Sequence, residues 1–73
     1  MDAVNHPRHY NRGGIEAIDA IRASMTTEQF IGFLKGNAVK YLFRMDYKGR
    51  RAEDARKAEW YVQRLVEEIE RAK

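Results

Sequence analysis

The chain has 73 residues, 14 basic and 11 acidic side chains for a formal charge of +3, and no cysteine. One domain is all this length holds, and it lies near the size at which a single hydrophobic core leaves little stability to spare, so a homo-oligomer is expected. Disulfides and thiolate metal sites are excluded, and no apolar run reaches the roughly 20 residues needed to cross a bilayer. The first ten residues, MDAVNHPRHY, lack the apolar core of a signal peptide, which predicts an unexported cytosolic protein.

Residues 1–14 combine Pro7, His6, His9 and the pair Gly13-Gly14, a composition that predicts an extended arm ending in a turn. From residue 15 onward a single helical domain is expected. Ile15, Ile18 and Ile21 recur at helical spacing and predict a short amphipathic helix ending near Ala23 or Ser24. Thr26 stands three residues before Gln29, a capping-box pattern, and opens a second helix running to about Met45. Gly32 and Gly36 weaken that helix by about 1 kcal/mol each relative to alanine, which predicts close approach of another backbone or of a ligand.

DYKGRR, residues 46–51, reads as a connecting loop. A third helix is predicted from about Ala52 to the C-terminus. On it Ala55, Ala58, Val62, Leu65, Ile69 and Ala72 alternate steps of three and four, an apolar seam suited to a partner helix. The fold class is therefore all-α: an arm followed by three helices, the last two forming an antiparallel hairpin.

Three polar residues of the second helix, Asn37, Lys40 and Arg44, fall on one stripe. Such a stripe accepts an anion, with Lys40 as a point charge, Arg44 as a bidentate fork and Asn37 as a hydrogen-bonding group for a base or sugar. On spacing alone a solvated face whose stems cover apolar neighbours is the commoner explanation. Asp54, Lys57, Tyr61 and Arg64 make a comparable stripe on the third helix, with Glu53 at ion-pair spacing from Lys57. Trp60 and Tyr61 cannot both face one seam, so one ring is left for a surface or pocket, where an aromatic face beside cations suits a nucleobase joined to phosphate.

Between Lys40 and Lys57 seven basic residues face three acidic ones, a field that draws an anionic partner. Nucleic acid is the weaker expectation, because Glu67, Glu68 and Glu70 would repel its backbone. His6 and His9 lack a third metal ligand closer than Glu16 or Asp19, so no metal site is assigned. A P-loop and a serine-nucleophile motif are both missing from the sequence.

Taken together, HPRHY, GGIEAIDAI, GNAVKYLFR, KG and EDARKAEWYV resemble a small bacteriophage domain of unknown function that also forms part of the nucleotide kinase of T7-like phages. The likeness runs from about Asn5 to Leu65, and the spaced combination is more specific than any single motif. It implies an all-helical phage domain of the host cytoplasm that handles nucleotides and, in one branch, phosphorylates deoxynucleoside monophosphates. The family pattern falls on His6, Pro7, His9 and Tyr10, on Glu16 and Asp19, and on Gly36, Asn37, Lys40, Tyr41 and Arg44. It continues at Lys48 and Gly49 and closes with Glu53, Asp54, Lys57, Ala58, Trp60 and Tyr61.

The expected ligand contacts are His6, His9, Tyr10, Asn37, Lys40, Tyr41, Arg44, Lys57, Trp60 and Tyr61, with a nucleotide as substrate or ligand and no other cofactor assigned. Two alternatives stand beside a kinase: capture of a nucleotide signal of host defence without catalysis, and a helix-mediated interaction module whose basic loop touches nucleic acid.

Overall fold

The computed structural model describes residues 16–47 and 49–73, and the arm with His6, Pro7, His9 and Tyr10, as well as Ile15 and Lys48, lies outside them. Three helices follow in order: α1 (Ala17–Ala23), α2 (Thr27–Arg44) and α3 (Arg51–Arg71), with no strand among the described residues. The capping box forms as its pattern requires. Gln29 N–H donates to Thr26 Oγ1 at 3.1 Å, and Thr26 N–H donates to Gln29 Oε1 at 2.9 Å. Two of the orphan donors at the start of α2 are thereby satisfied, which fixes where the helix begins.

The connection at residues 45–50 reverses the chain, with Gly49 in the left-handed region at φ 71°. Side-chain pairings then run in opposite directions along the two helices: Arg44 meets Asp54, Phe33 and Tyr41 meet Tyr61, and Phe30 meets Arg64. The antiparallel hairpin expected of the second and third helices is the body of the molecule. Its buried apolar side chains are Phe30, Leu34, Ala38 and Ala58. The first three lie four residues apart, so one stripe of α2 faces α3.

The third-helix seam divides on contact with α2. Ala58 is buried, whereas Val62 and Ile69 remain 44% and 42% exposed. The inward face of α3 instead carries Asp54, Ala58 and Glu68, of which the two carboxylates are shut off from solvent. Each has an arginine partner. Arg44 reaches Asp54, and Arg22 of α1 reaches Glu68 at 2.9 Å, so α1 is clasped to the far end of the hairpin by charge. A weaker bridge, Arg64 to Asp19 at 3.4 Å, holds α1 at a second point. The hydrogen bond from Arg22 keeps the Glu68 carboxyl below the usual glutamate range despite the opposing cost of burial, with the charges of Arg22, Arg71 and Arg64 adding to the effect.

The glycines of α2 differ from expectation. A Cβ placed on Gly32 or Gly36 would meet nothing within 4 Å, so no backbone among the described residues approaches them. They lie on the outer surface of α2, and both are exposed.

Candidate functional site

Tyr41 is the centre of the one place where the predicted residues of both helices meet. The antiparallel pairing that sets Arg44 against Asp54 also brings Lys57 and Tyr61 beside Tyr41, because residues a turn apart on each helix share a face. The Tyr41 and Tyr61 rings stack with centroids 5.8 Å apart and planes 15° apart. Tyr61 in turn receives Trp60 edge-on at 4.9 Å and Phe33 at 6.5 Å. Neighbours in sequence thus take different roles. Tyr61 fills the space between the helices, and Trp60 stands outside it, half-buried against its edge.

Three cations surround the Tyr41 ring. Lys40 Nζ lies 4.7 Å from its centroid, Arg44 Cζ 5.1 Å and Lys57 Nζ 5.4 Å. An electron-rich ring face attracts each of them, and the attraction grows where the cation is desolvated. Lys57 is the most enclosed, with its side chain 16% exposed, and it also pairs with Glu53 at 3.3 Å as the spacing of those two residues requires. Lys40 is exposed and has no carboxylate partner among the described residues.

Arg44 is placed differently from a free phosphate fork. Its guanidinium donates to both Asp54 oxygens, Nη2 to Oδ1 at 3.0 Å and Nε to Oδ2 at 3.4 Å. The two-point geometry that suits a phosphate is used on a carboxylate of its own fold. Asn37 likewise spends a donor on the fold, donating from Nδ2 to the Phe33 carbonyl of its own helix at 2.9 Å one turn back. The structure therefore brings Lys40, Tyr41, Arg44, Lys57, Trp60 and Tyr61 together, and it leaves Asn37 on the same helix with its amide donor occupied by backbone. His6, His9 and Tyr10 lie outside the described residues, and no cluster of three metal-ligating side chains occurs among those described.

Asp54 is the residue whose role sequence reasoning missed. Helical spacing puts it on one stripe with Lys57, Tyr61 and Arg64 but does not show that its side chain is fully buried. The signal was available beside the loop: in an antiparallel hairpin the last turn of one helix faces the first turn of the next, and Arg44 closes α2 while Asp54 lies in the first turn of α3.

What the edge can do chemically follows from its parts. Two ammonium groups and an aromatic face offer charge to phosphate and a flat surface to a base. Its carboxylates, Glu53 and Asp54, are both engaged by cations. A cleft of about 230 Å³ at Arg22, Thr26 and Glu68, and a shallow groove of about 470 Å³ along Leu42 and Val62, lie away from this edge.

A domain-family model, described as a protein of unknown function, DUF3310, matches residues 4–63. Among curated proteins, the chain is 42% identical over 62 residues to the gene 1.7 protein of Enterobacteria phage T3, covering 80% of this chain and 38% of that protein. It is 42% identical over 65 residues to the nucleotide kinase gp1.7 of Escherichia phage T7, covering 84% of this chain and 33% of the relative. The chain thus spans about a third of the length of these relatives. No solved structure matches it.

Proposed function

The chain belongs to the DUF3310 domain family, whose relatives here are phage proteins, and on that footing we propose that it binds a phosphorylated nucleotide at the Tyr41 edge of the α2–α3 hairpin. The observation that carries this reading is the set of three cations within 4.7 to 5.4 Å of one tyrosine ring, in a segment shared with a relative named as a nucleotide kinase. Lys40 and Lys57 take the phosphate, Lys40 because it has no carboxylate partner among the described residues and Lys57 by exchanging Glu53 for the ligand. Arg44 stays on Asp54 and adds its charge without direct contact. Trp60 offers the base a ring, since Tyr41 is already stacked on Tyr61. His6, His9 and Tyr10 of the arm complete the site, as the family resemblance implies. The unit works as a homo-oligomer in the host cytoplasm, and no described helix is long and apolar enough to cross a membrane.

Phosphoryl transfer is the further activity to which the T7 relative's name points. It would ask this edge to align a nucleoside monophosphate with a donor and to neutralise charge, not to supply a base, because transfer of this kind depends mainly on positioning and electrostatics. Holding a nucleotide without turnover needs only the affinity.

Trp60 is the sole tryptophan, so its fluorescence reports on the site directly. Titration with nucleoside mono-, di- and triphosphates and cyclic dinucleotides, by fluorescence and calorimetry at two salt concentrations, is expected to show saturable binding that weakens as salt rises. Lys40→Ala and Lys57→Ala are each expected to weaken it roughly tenfold, the loss of one charge-assisted contact. His6→Ala with His9→Ala is expected to lower affinity with the melting temperature of the free protein unchanged. No heat, no quenching and no thermal stabilisation across the panel would refute the reading. Product formation with labelled ATP separates a kinase from a nucleotide trap.

A further inference from the structure

The division of the third-helix seam leaves an apolar flank that stands exposed among the described residues. Val62, Val66 and Ile69 of α3 are 44%, 47% and 42% exposed, and Leu42 of α2 beside them is 51% exposed. Leu42, Ala55, Ala58, Glu59, Val62 and Gln63 line the shallow groove of about 470 Å³ between the two helices. On α3 the flank follows Ala55, Val62 and Ile69, seven residues apart, with Val66 between the last two. Seven residues are two turns, so these side chains form one line along the helix.

The order of residues along that line identifies what covers it. Reading from the N-terminal end, Ala55, Val62 and Ile69 go from small to large. The adjacent rim, one residue further on in each case, is Arg56, Gln63 and Glu70, and it goes from basic through neutral to acidic. All three rim residues are exposed, and neither Arg56 nor Glu70 has an ion-pair partner among the described residues. A graded line of this kind is complementary to its own reverse. Turned end for end about a two-fold axis near Val62 and Gln63, a second α3 sets Ile69 over Ala55 and Glu70 beside Arg56, twice.

We propose that this flank is the interface of a two-fold homodimer in which the α3 helices of two copies pack antiparallel, with the groove at Leu42 closed by the partner. A two-fold axis makes the contact isologous, so it closes at two copies and leaves no complementary surface open. Tyr41 and Leu42 are consecutive residues and point about 100° apart around α2, so the dimer leaves the Tyr41 edge accessible. The inference rests on the reading of the chain as self-associating and names the surface and orientation by which it does so.

The test is the mass in solution of the full chain by light scattering and sedimentation at tens of micromolar. The wild type is expected at twice its 8.6 kDa mass. Val62→Lys is expected to give a monomer that keeps its helical circular dichroism. Because a monomer with so thin a core could lose its fold, the charge pair provides a second measurement that leaves the apolar line intact. Arg56→Glu or Glu70→Arg alone is expected to weaken the dimer roughly tenfold, each removing two ion pairs and creating two repulsions, and the double reversal is expected to restore it. A monomeric wild type would overturn both self-association and the interface. A dimer that survives Val62→Lys, or one that the double reversal fails to restore, would overturn the antiparallel face and leave self-association standing.

Discussion

Asp54 holds Arg44 by two hydrogen bonds with no exposure to solvent, and this contact takes one of the three cations around Tyr41 into the fold. A buried carboxylate is costly unless its charge and lone pairs are met, so Arg44 is held where it is by the fold before any ligand arrives. Replacing Asp54 with asparagine keeps the volume and removes the charge. Hydrogen bonds to charged groups contribute about 1.5–3 kcal/mol, so Asp54→Asn is expected to destabilise the protein by about 2 kcal/mol and lower its melting temperature by about 10 °C. The same variant releases Arg44, so nucleotide affinity measured on folded protein should hold steady or rise. A melting temperature equal to wild type, or a loss of affinity in the folded variant, would place Asp54 in the site and not beneath it.

Among the helices, α2 is the element whose sequence is hardest to justify from its own contacts. Its inward stripe of Phe30, Leu34 and Ala38 packs on α3, while Gly32 and Gly36 face outward with open space around them. Glycine in a helix interior costs about 1 kcal/mol relative to alanine, chiefly in backbone entropy. Gly32→Ala and Gly36→Ala are therefore expected to raise stability by up to about 1 kcal/mol each, read as a higher denaturant midpoint with the slope unchanged. A lower midpoint would mean that something beyond the described residues approaches this surface closely. The first turn of α2 needs no such explanation, since the reciprocal bonds of Thr26 and Gln29 already define it.

At the scale of the whole molecule, α1 is joined to the hairpin by ion pairs, Arg22 to Glu68 and Arg64 to Asp19. Glu68 is charged more readily in the folded protein than in the unfolded chain, where its pKa is about 4.3. A depressed folded pKa contributes stability that is present above the unfolded value and is lost as pH falls through the folded one. The difference in melting temperature between wild type and Glu68→Gln is accordingly expected to be largest near pH 7 and to close below about pH 4. A difference independent of pH would show that the clasp acts through packing and not through charge.

The number and extent of the helices were legible in the sequence because local signals sufficed. The Thr26 and Gln29 pair set one helix start, the DYKGRR loop with its left-handed Gly49 set the turn, and the observed ends of α2 and α3 fall within two residues of those read from periodicity. Lys40, Tyr41, Arg44, Lys57, Trp60 and Tyr61 were also nameable, since helical spacing and family resemblance singled them out. Which partner each of them has was not legible. Periodicity places residues on a face but does not say how far a helix is rotated about its axis. The rotation of α3 by a fraction of a turn is what carried Asp54 and Glu68 inward and left Val62 and Ile69 outside. That rotation is set by packing Ala58 against the bulky stripe of α2 and by the two arginines that meet the buried carboxylates, contacts between residues 10 and 46 positions apart. Local sequence fixes the helices because their bonds are local; only the tertiary structure, where distant side chains compete for one interface, could decide which charges were used inside the fold and which were left exposed.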